Sequence, residues 1–345
     1  MTPRAKNLTA KATPTVSAGI VRALMDFAVS KGATATVLAE FAAIDPSVLE
    51  DHDNRVPFES YIALMRAAKD LCNDPALPLH FGEAMDLSAF SIIGMLTRAS
   101  ETMMEALAQL NRYGQIVVEV DIGSAGRFAM EQRDGGVWLV DTRKDPNVYP
   151  ELTESTFARM ICGPRQFLPR ANVLEVHVTH ATPAHRAAYE RIFRCPVVFE
   201  SDRNALLMDP ELLHYRVAQE PRFVFAPLSA HADALLINLR GSKTARGRVE
   251  ALLLPILHTG NVGMEAIAAK MEVSRRTLHR MLQTEDVTFE RVLDDLRRKM
   301  ALDYLTGKNV SVNETAYLVG FSEPAAFSRA FKRWTGHSPR TAKRP

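Results

Sequence analysis

The sequence predicts an α+β N-terminal domain followed by an all-α C-terminal domain that carries two helix-turn-helix motifs. Three observations predict it. One pattern occurs twice near the C-terminus, as Ala266-Ile-Ala-Ala-Lys-Met-Glu-Val-Ser274-Arg-Arg-Thr-Leu-His-Arg280 and as Thr315-Ala-Tyr-Leu-Val-Gly-Phe-Ser322-Glu-Pro-Ala-Ala-Phe-Ser-Arg329. The apolar spacing changes from helical to alternating after about residue 113. Charge is also split. Residues 241–345 carry 18 Lys and Arg against 11 Asp and Glu, a balance of +7, whereas the rest carries 24 against 29, a balance of −5. The overall +2 hides a basic tail that suits a polyanionic partner.

Composition sets the class. At 345 residues, 47% hydrophobic and 24% charged, the chain has room for two globular cores. Cys72, Cys162 and Cys195 are odd in number, widely spaced and without a CxxC. A disulfide framework or a zinc site is therefore not expected, and a reducing cytosol fits. Arg4, Lys6 and Lys11 precede no apolar run of the secretory kind, and the uncharged stretch Leu87–Thr97 is too short to span a bilayer. No membrane partner is expected.

Residues 1–16 read as a disordered basic arm. Residues 17–208 read as one α+β domain. Helical spacing joins Tyr61, Leu64, Met65 and Ala68, and later Met103, Met104, Leu107 and Leu110. Strands are expected at Ile116–Ile122, Arg127–Glu131 and Val137–Val140, the last two joined by an Asp134-Gly-Gly136 turn. A helix over Glu151–Ile161, a strand over Leu174–Thr179, a helix over Ala184–Phe193 and a strand over Pro196–Glu200 complete the domain. Pro210, Pro221 and Pro227 then mark a linker, residues 209–243, holding one helix with Leu228, Ala232, Leu235, Leu236 and Leu239 on a face.

Residues 244–340 are the expected tandem helix-turn-helix domain. Val249–His258 leads, with Pro255 shortening it. Met264–Met271 is a scaffold helix with Ile267, Ala268 and Met271 inward, and Glu272-Val273 is the turn. Ser274 is placed as N-cap, with Val273 and Leu278 as a hydrophobic staple. On the helix that follows, Leu278, Met281 and Leu282 face inward. Arg276, His279, Arg280 and Gln283, at i, i+3, i+4 and i+7, share the opposite face, with Ser274 and Arg275 at its start. A major groove admits one helix, and arginine can grip guanine O6 and N7 together.

The second motif repeats the plan. Val312–Val319 is its scaffold, Gly320-Phe321 its turn and Ser322 its expected N-cap, with Pro324 in the first turn. Phe327, Ala330, Phe331 and Trp334 face inward; Ala325, Ser328, Arg329 and Lys332 face out. With fewer strong donors, this face is expected to anchor on phosphates and touch thymine methyls. Between the motifs, Phe289–Leu305 reads as one helix, with Val292, Leu293, Leu296, Met300 and Tyr304 inward and Arg291, Arg297, Arg298 and Lys299 exposed. Successive major grooves on one face lie about 34 Å apart, so reading both needs such a rigid spacer, or bent DNA.

Residues 245–340 resemble the DNA-binding domain of the AraC/XylS family of bacterial transcription regulators. Ala268, Val273-Ser274, Leu278-His-Arg280, Arg298, Ala301 and Leu305 carry the likeness, and Gly320–Pro339 carries it most specifically. By position, the resemblance puts Arg276, His279 and Arg280 of the first reader, and Ala325, Ser328 and Arg329 of the second, against bases. Met281-Leu-Gln283 departs from the Phe-Lys pair of many members. Residues 20–205 more loosely resemble the arabinose-binding-type domain of one subgroup, through Arg55-Val-Pro-Phe, Tyr61 and Ala187–Phe193.

The resemblance implies a cytoplasmic, nucleoid-associated regulator of promoter DNA, with a small-molecule effector in the N-terminal domain. RNA polymerase and a second copy of the chain are further partners it admits. No cofactor, metal or catalytic residue is expected. His177, His180 and His185 are not expected to form a metal site, since 177 and 180 alternate on a strand. Cys162 beside Arg165 reads as structural, and Met85, Met95, Met103 and Met104 as core. Two alternatives are a regulator whose first domain only forms dimers, and an enzyme fused to a DNA reader. The second lacks the Pro-Cys-His-Arg signature of methyl-accepting regulators.

Overall fold

The computed structural model describes residues 13–121, 126–133, 135–241, 243–260, 262–302, 304–305 and 310–342. The chain divides into two compact units between Leu236 and Ile237.

The first unit opens with helices Ala18–Ser30, Ala35–Ala42, Phe58–Leu71, Leu77–Ala84, Ile92–Ala99 and Met103–Val117. Local side chains start several of them: Ser17 accepts from the Ile20 amide, Ser91 from Ile93 and Thr102 from Glu105. Two strands brace the bundle, β1 (Thr15–Ser17) and β2 (Arg55–Pro57), paired antiparallel. Thr15 and Val16 are therefore not part of a disordered arm; the rest of that expectation, residues 1–12, lies outside the described residues. Thr15 donates from its amide and hydroxyl to Glu119 at 2.9 and 2.7 Å, and Arg55 donates to Thr15 and to the Ile116 carbonyl.

The expected strand at Ile116–Ile122 is a correction. Tyr113, Ile116 and Val117 continue the buried face of the helix that Thr102 starts, so the β-branched run is helical to Val117. Only Val118 makes a strand contact, a lone bridge to Val16, and Ile122 lies outside the described residues.

A five-stranded sheet follows: β3 (Phe128–Arg133), β4 (Gly136–Asp141), β5 (Val173–His177), β6 (Val197–Val198) and β7 (Ala205–Met208), in the order β3-β4-β7-β5-β6. Only β5 and β6 run parallel. The central β7 has no local strand signal, because Ala-Leu-Leu-Met is short, unalternating and free of β-branched residues. Helices Pro150–Cys162 and Arg186–Phe193 pack on the sheet through Phe157, Ile161, Tyr189 and Ile192.

The expected linker is also corrected for most of its length. Leu228, Ala232, Leu235 and Leu236, on helix Phe225–Gly241, pack into the first core. Asp233 accepts from Tyr113 Oη and Arg112, both at 2.8 Å, and Arg222 pairs with both oxygens of Glu105.

Among its described residues the second unit has helices and turns and no strand. Ala245–Leu253 is followed by a 3-10 turn, Leu254–Thr259, where Pro255 ends the α-geometry. Met264–Lys270, Arg275–Gln283, Phe289–Leu302, Val312–Leu318, Pro324–Thr335 and Pro339–Ala342 complete it. One core serves both motifs, from Val249 and Leu278 through Val292 and Leu296 to Phe327 and Phe331. Phe327 and Phe331 are fully buried, each worth about 2 kcal/mol of transfer free energy.

Candidate nucleic-acid interface

Both turns close in the same way. The Val273 amide donates to the Ala268 carbonyl at 3.0 Å, and Phe321 donates to Ala316 at 2.9 Å. This wraps the end of each scaffold helix around a left-handed residue. In the second turn that residue is Gly320, φ 82°; in the first it is Glu272, φ 57°, which carries a side chain in a conformation costing about 1 kcal/mol.

The motifs then diverge by one residue. Ser274 caps the first reader, accepting from the Thr277 amide at 3.1 Å. Ser322 does not cap the second, which corrects the sequence reading. The cap is Glu323, extended at φ −128° and ψ 126°, with no side-chain cap bond. Pro324 disfavours helical geometry at the residue before it, so the helix begins at the proline and Ser322 becomes an extra residue in the corner. The reader faces keep their register: Arg276, His279, Arg280 and Gln283 match Ala325, Ser328, Arg329 and Lys332.

Leu278 and Leu282 anchor the first reader and Phe327, Ala330 and Phe331 the second. Arg276, His279, Arg280 and Gln283 are exposed on one, and Ala325, Arg329 and Lys332 on the other. None of their side chains has an ion pair or hydrogen bond among the described residues. The other candidates are already engaged. Arg275 pairs with Glu265 at 2.7 Å, both exposed, a contact worth at most about 1 kcal/mol and open to exchange for a phosphate. The half-buried Ser328 donates its hydroxyl to the Pro324 carbonyl at 2.9 Å.

Arg297 is a second correction. Expected in solvent, it is half-buried, and it donates from Nε to the Val319 carbonyl at 3.1 Å and from Nη2 to Gly320 at 3.3 Å. Its guanidinium lies 4.7 Å from the Phe321 ring centre. These carbonyls end the second scaffold helix and have no helical partner of their own. Arg297 thus ties the connecting helix to the second turn. Burial pushes its pKa below the ordinary arginine value. The signal was its spacing, four residues after Leu293 and three before Met300, on the flank of the apolar stripe. Asp295 draws in Arg246 and Arg291, at 3.2 and 3.4 Å.

The first unit holds a cavity of about 210 Å³. Met85, Met103, Leu107, Met160, Leu206 and Met208 supply much of its wall, and Arg98 and Arg159 are half-buried cations in it. Met103 is buried in a small core cluster and Met85 packs against the main core, as expected, and both also line this space. Met95 is exposed, and Met104 packs against the sheet-side core.

The remaining candidates are structural in their contacts. His177 bonds Ser201 and Glu175; His185 and Tyr189 both bond Glu154, and His180 bonds Tyr189. Burial raises the pKa of the Cys162 thiol, and that of Cys195 to about 11, which disfavours a thiolate at either. Among the described residues no helix is long and apolar enough to cross a membrane.

Comparison with known proteins bears on both units. Residues 32–217 match the family described as the arabinose-binding domain of AraC transcription regulator, N-terminal, and residues 267–344 match a helix-turn-helix domain. The ornithine utilization regulator of Pseudomonas aeruginosa is 29% identical over 341 residues, covering 96% of this chain and 96% of its own. The transcriptional regulator VirS of Mycobacterium tuberculosis is 25% identical over 315 residues, covering 86% and 87%. The crystal structure of transcriptional regulator CdpR from P. aeruginosa aligns over 95% of this chain and 98% of that one, with 22% identity and a TM-score of 0.46.

Proposed function

We propose, from the premise that the chain belongs to the AraC family of transcription regulators, that its two readers enter neighbouring major grooves of promoter DNA. The chain is a DNA-binding helix-turn-helix regulator. The observation that carries the finer reading is the pair of exposed basic faces on one shared core, whose charged side chains have no partner among the described residues. Among the described residues Arg276, Arg280 and Arg329 keep their donors free, whereas Arg275, Arg297 and Arg333 are held by the protein itself. We assign base discrimination mainly to Arg276, His279, Arg280 and Gln283. Arg329 and Lys332 anchor phosphates, with Ala325 and Ser328 against bases and Ser274 and Arg275 at the groove edge.

The N-terminal unit gates this activity by binding a small effector in its cavity. That space favours effector control over a domain that only assembles dimers. Contacts with RNA polymerase and with a second copy belong to the same reading, as does a cytoplasmic location.

Selection of duplexes from a random pool by the whole chain tests the DNA assignment. A defined sequence should emerge, and its affinity should fall on the order of a thousandfold between 50 and 200 mM salt if about six phosphates are neutralised. Recovery of no preferred sequence, or binding indifferent to salt, contradicts it.

A further inference from the structure

We propose that the N-terminal cavity takes a small monocarboxylate with an apolar body, its carboxylate held by Arg159. This deepens the effector-controlled reading above and rests on it. Arg159 stands on helix Pro150–Cys162, where every other residue from Glu151 to Ile161 is buried. It is the half-buried member that faces the cavity. Its guanidinium makes one hydrogen-bond contact among the described residues, a weak one from Nη1 to the Met85 sulfur at 3.9 Å.

The neighbouring arginines are compensated. Arg127 pairs with Asp141 at 3.1 Å and Arg191 with Glu83 at 2.8 Å. Arg143 donates to Thr153 and to backbone carbonyls, and Arg98 lies 3.8 Å from Asp86 and 3.6 Å from Glu220. Arg159 has no carboxylate and, unlike Arg143, no oxygen acceptor among the described residues. Burial and the like charge of Arg127 lower its pKa to about 10, so it stays protonated at neutral pH. A desolvated, uncompensated cation is unfavourable, and an arriving anion relieves it.

The rest of the site narrows the anion. A guanidinium fork matches a carboxylate with two parallel hydrogen bonds. The sulfur and hydrocarbon walls suit an alkyl or aryl body, and thioether side chains adapt to its shape. Glu83, Asp86 and Arg98 also line the cavity, but Glu83 is paired with Arg191 and Arg98 with Asp86. A second anionic group would therefore find no further cation in the lining without a carboxylate partner among the described residues, so the site discriminates against dicarboxylates and phosphates.

Thermal melting of the whole chain with hexanoate, octanoate, benzoate and succinate, and with octanamide as the neutral match for octanoate, tests the proposal. At least one monocarboxylate should raise the melting temperature, whereas octanamide and succinate should not. Arg159→Met should abolish that shift yet melt, without ligand, at or above the wild-type temperature. Should Arg159→Met fail to fold, Arg159→Lys keeps the charge but not the fork and should weaken binding at least tenfold. No shift with any acid, an equal shift with octanamide, stronger binding of succinate, or full binding by the variant that folds would overturn the proposal. Promoter binding is a separate readout. An acid that binds through Arg159 without changing promoter affinity supports this ligand class and overturns effector control.

Discussion

Replacing Gly320 by alanine should destabilise the C-terminal unit by about 3 kcal/mol or more, from left-handed strain and overpacking together. Gly320 sits at φ 82°, and a Cβ there would lie 2.2 Å from the Leu257 carbonyl oxygen. That oxygen belongs to the 3-10 turn after the leading helix, so the new atom would meet backbone rather than a side chain that can swing away. The same junction receives Arg297 from the connecting helix. Hydrogen exchange followed by mass spectrometry checks the prediction, since amides of Phe289–Leu302 should lose protection while those of Pro150–Cys162 keep it. Gly336→Ala is the control. It shares the positive φ, at 80°, but has nothing within 4 Å of the added atom, and should cost only about 1 kcal/mol. Equal effects at the two positions would remove the junction from the account.

Arg280→Ala should weaken binding to the selected duplex by about 1–3 kcal/mol, roughly 5- to 150-fold, and relax preference at the base pair it reads. Its stability should change by less than about 0.5 kcal/mol, because Arg280 is exposed and has no partner among the described residues. A competition assay against single-base variants of the site separates the two effects. Uniform weakening on every sequence would make Arg280 a phosphate contact. Unchanged affinity would take the first reader's base-reading role away from it.

Much of the C-terminal unit was legible because its signals are local. Helical period placed Leu278, Leu282, Phe327 and Phe331 inward, and the serine cap at 274 needs only three residues of context. What escaped depended on neighbours. Ser322 looks as good a cap as Ser274, but Pro324 moves the helix start past it. Arg297 looks like a solvated charge until the Val319 and Gly320 carbonyls, more than twenty positions away, are brought to it. In the N-terminal unit β7 is a strand only because β4 and β5 pair with it on either side. The β-branched run at 116–118 reads as a strand, yet a helix already nucleated at Thr102 absorbs Ile116 and Val117. The cavity left no sequence signal beyond its methionines. Arg159 looks like any helical arginine until helix Pro150–Cys162 is found buried around it.

The most direct test of the central claim is a hydroxyl-radical footprint of the chain on its selected duplex, read with interference by guanine N7 methylation. Two readers held on one core should protect two patches on the same face, centred about 10 base pairs apart, with N7 interference in each major groove. Arg276→Ala should erase one patch's interference and leave the other. A single protected patch, or two displaced by about half a helical turn onto opposite faces, would contradict the account.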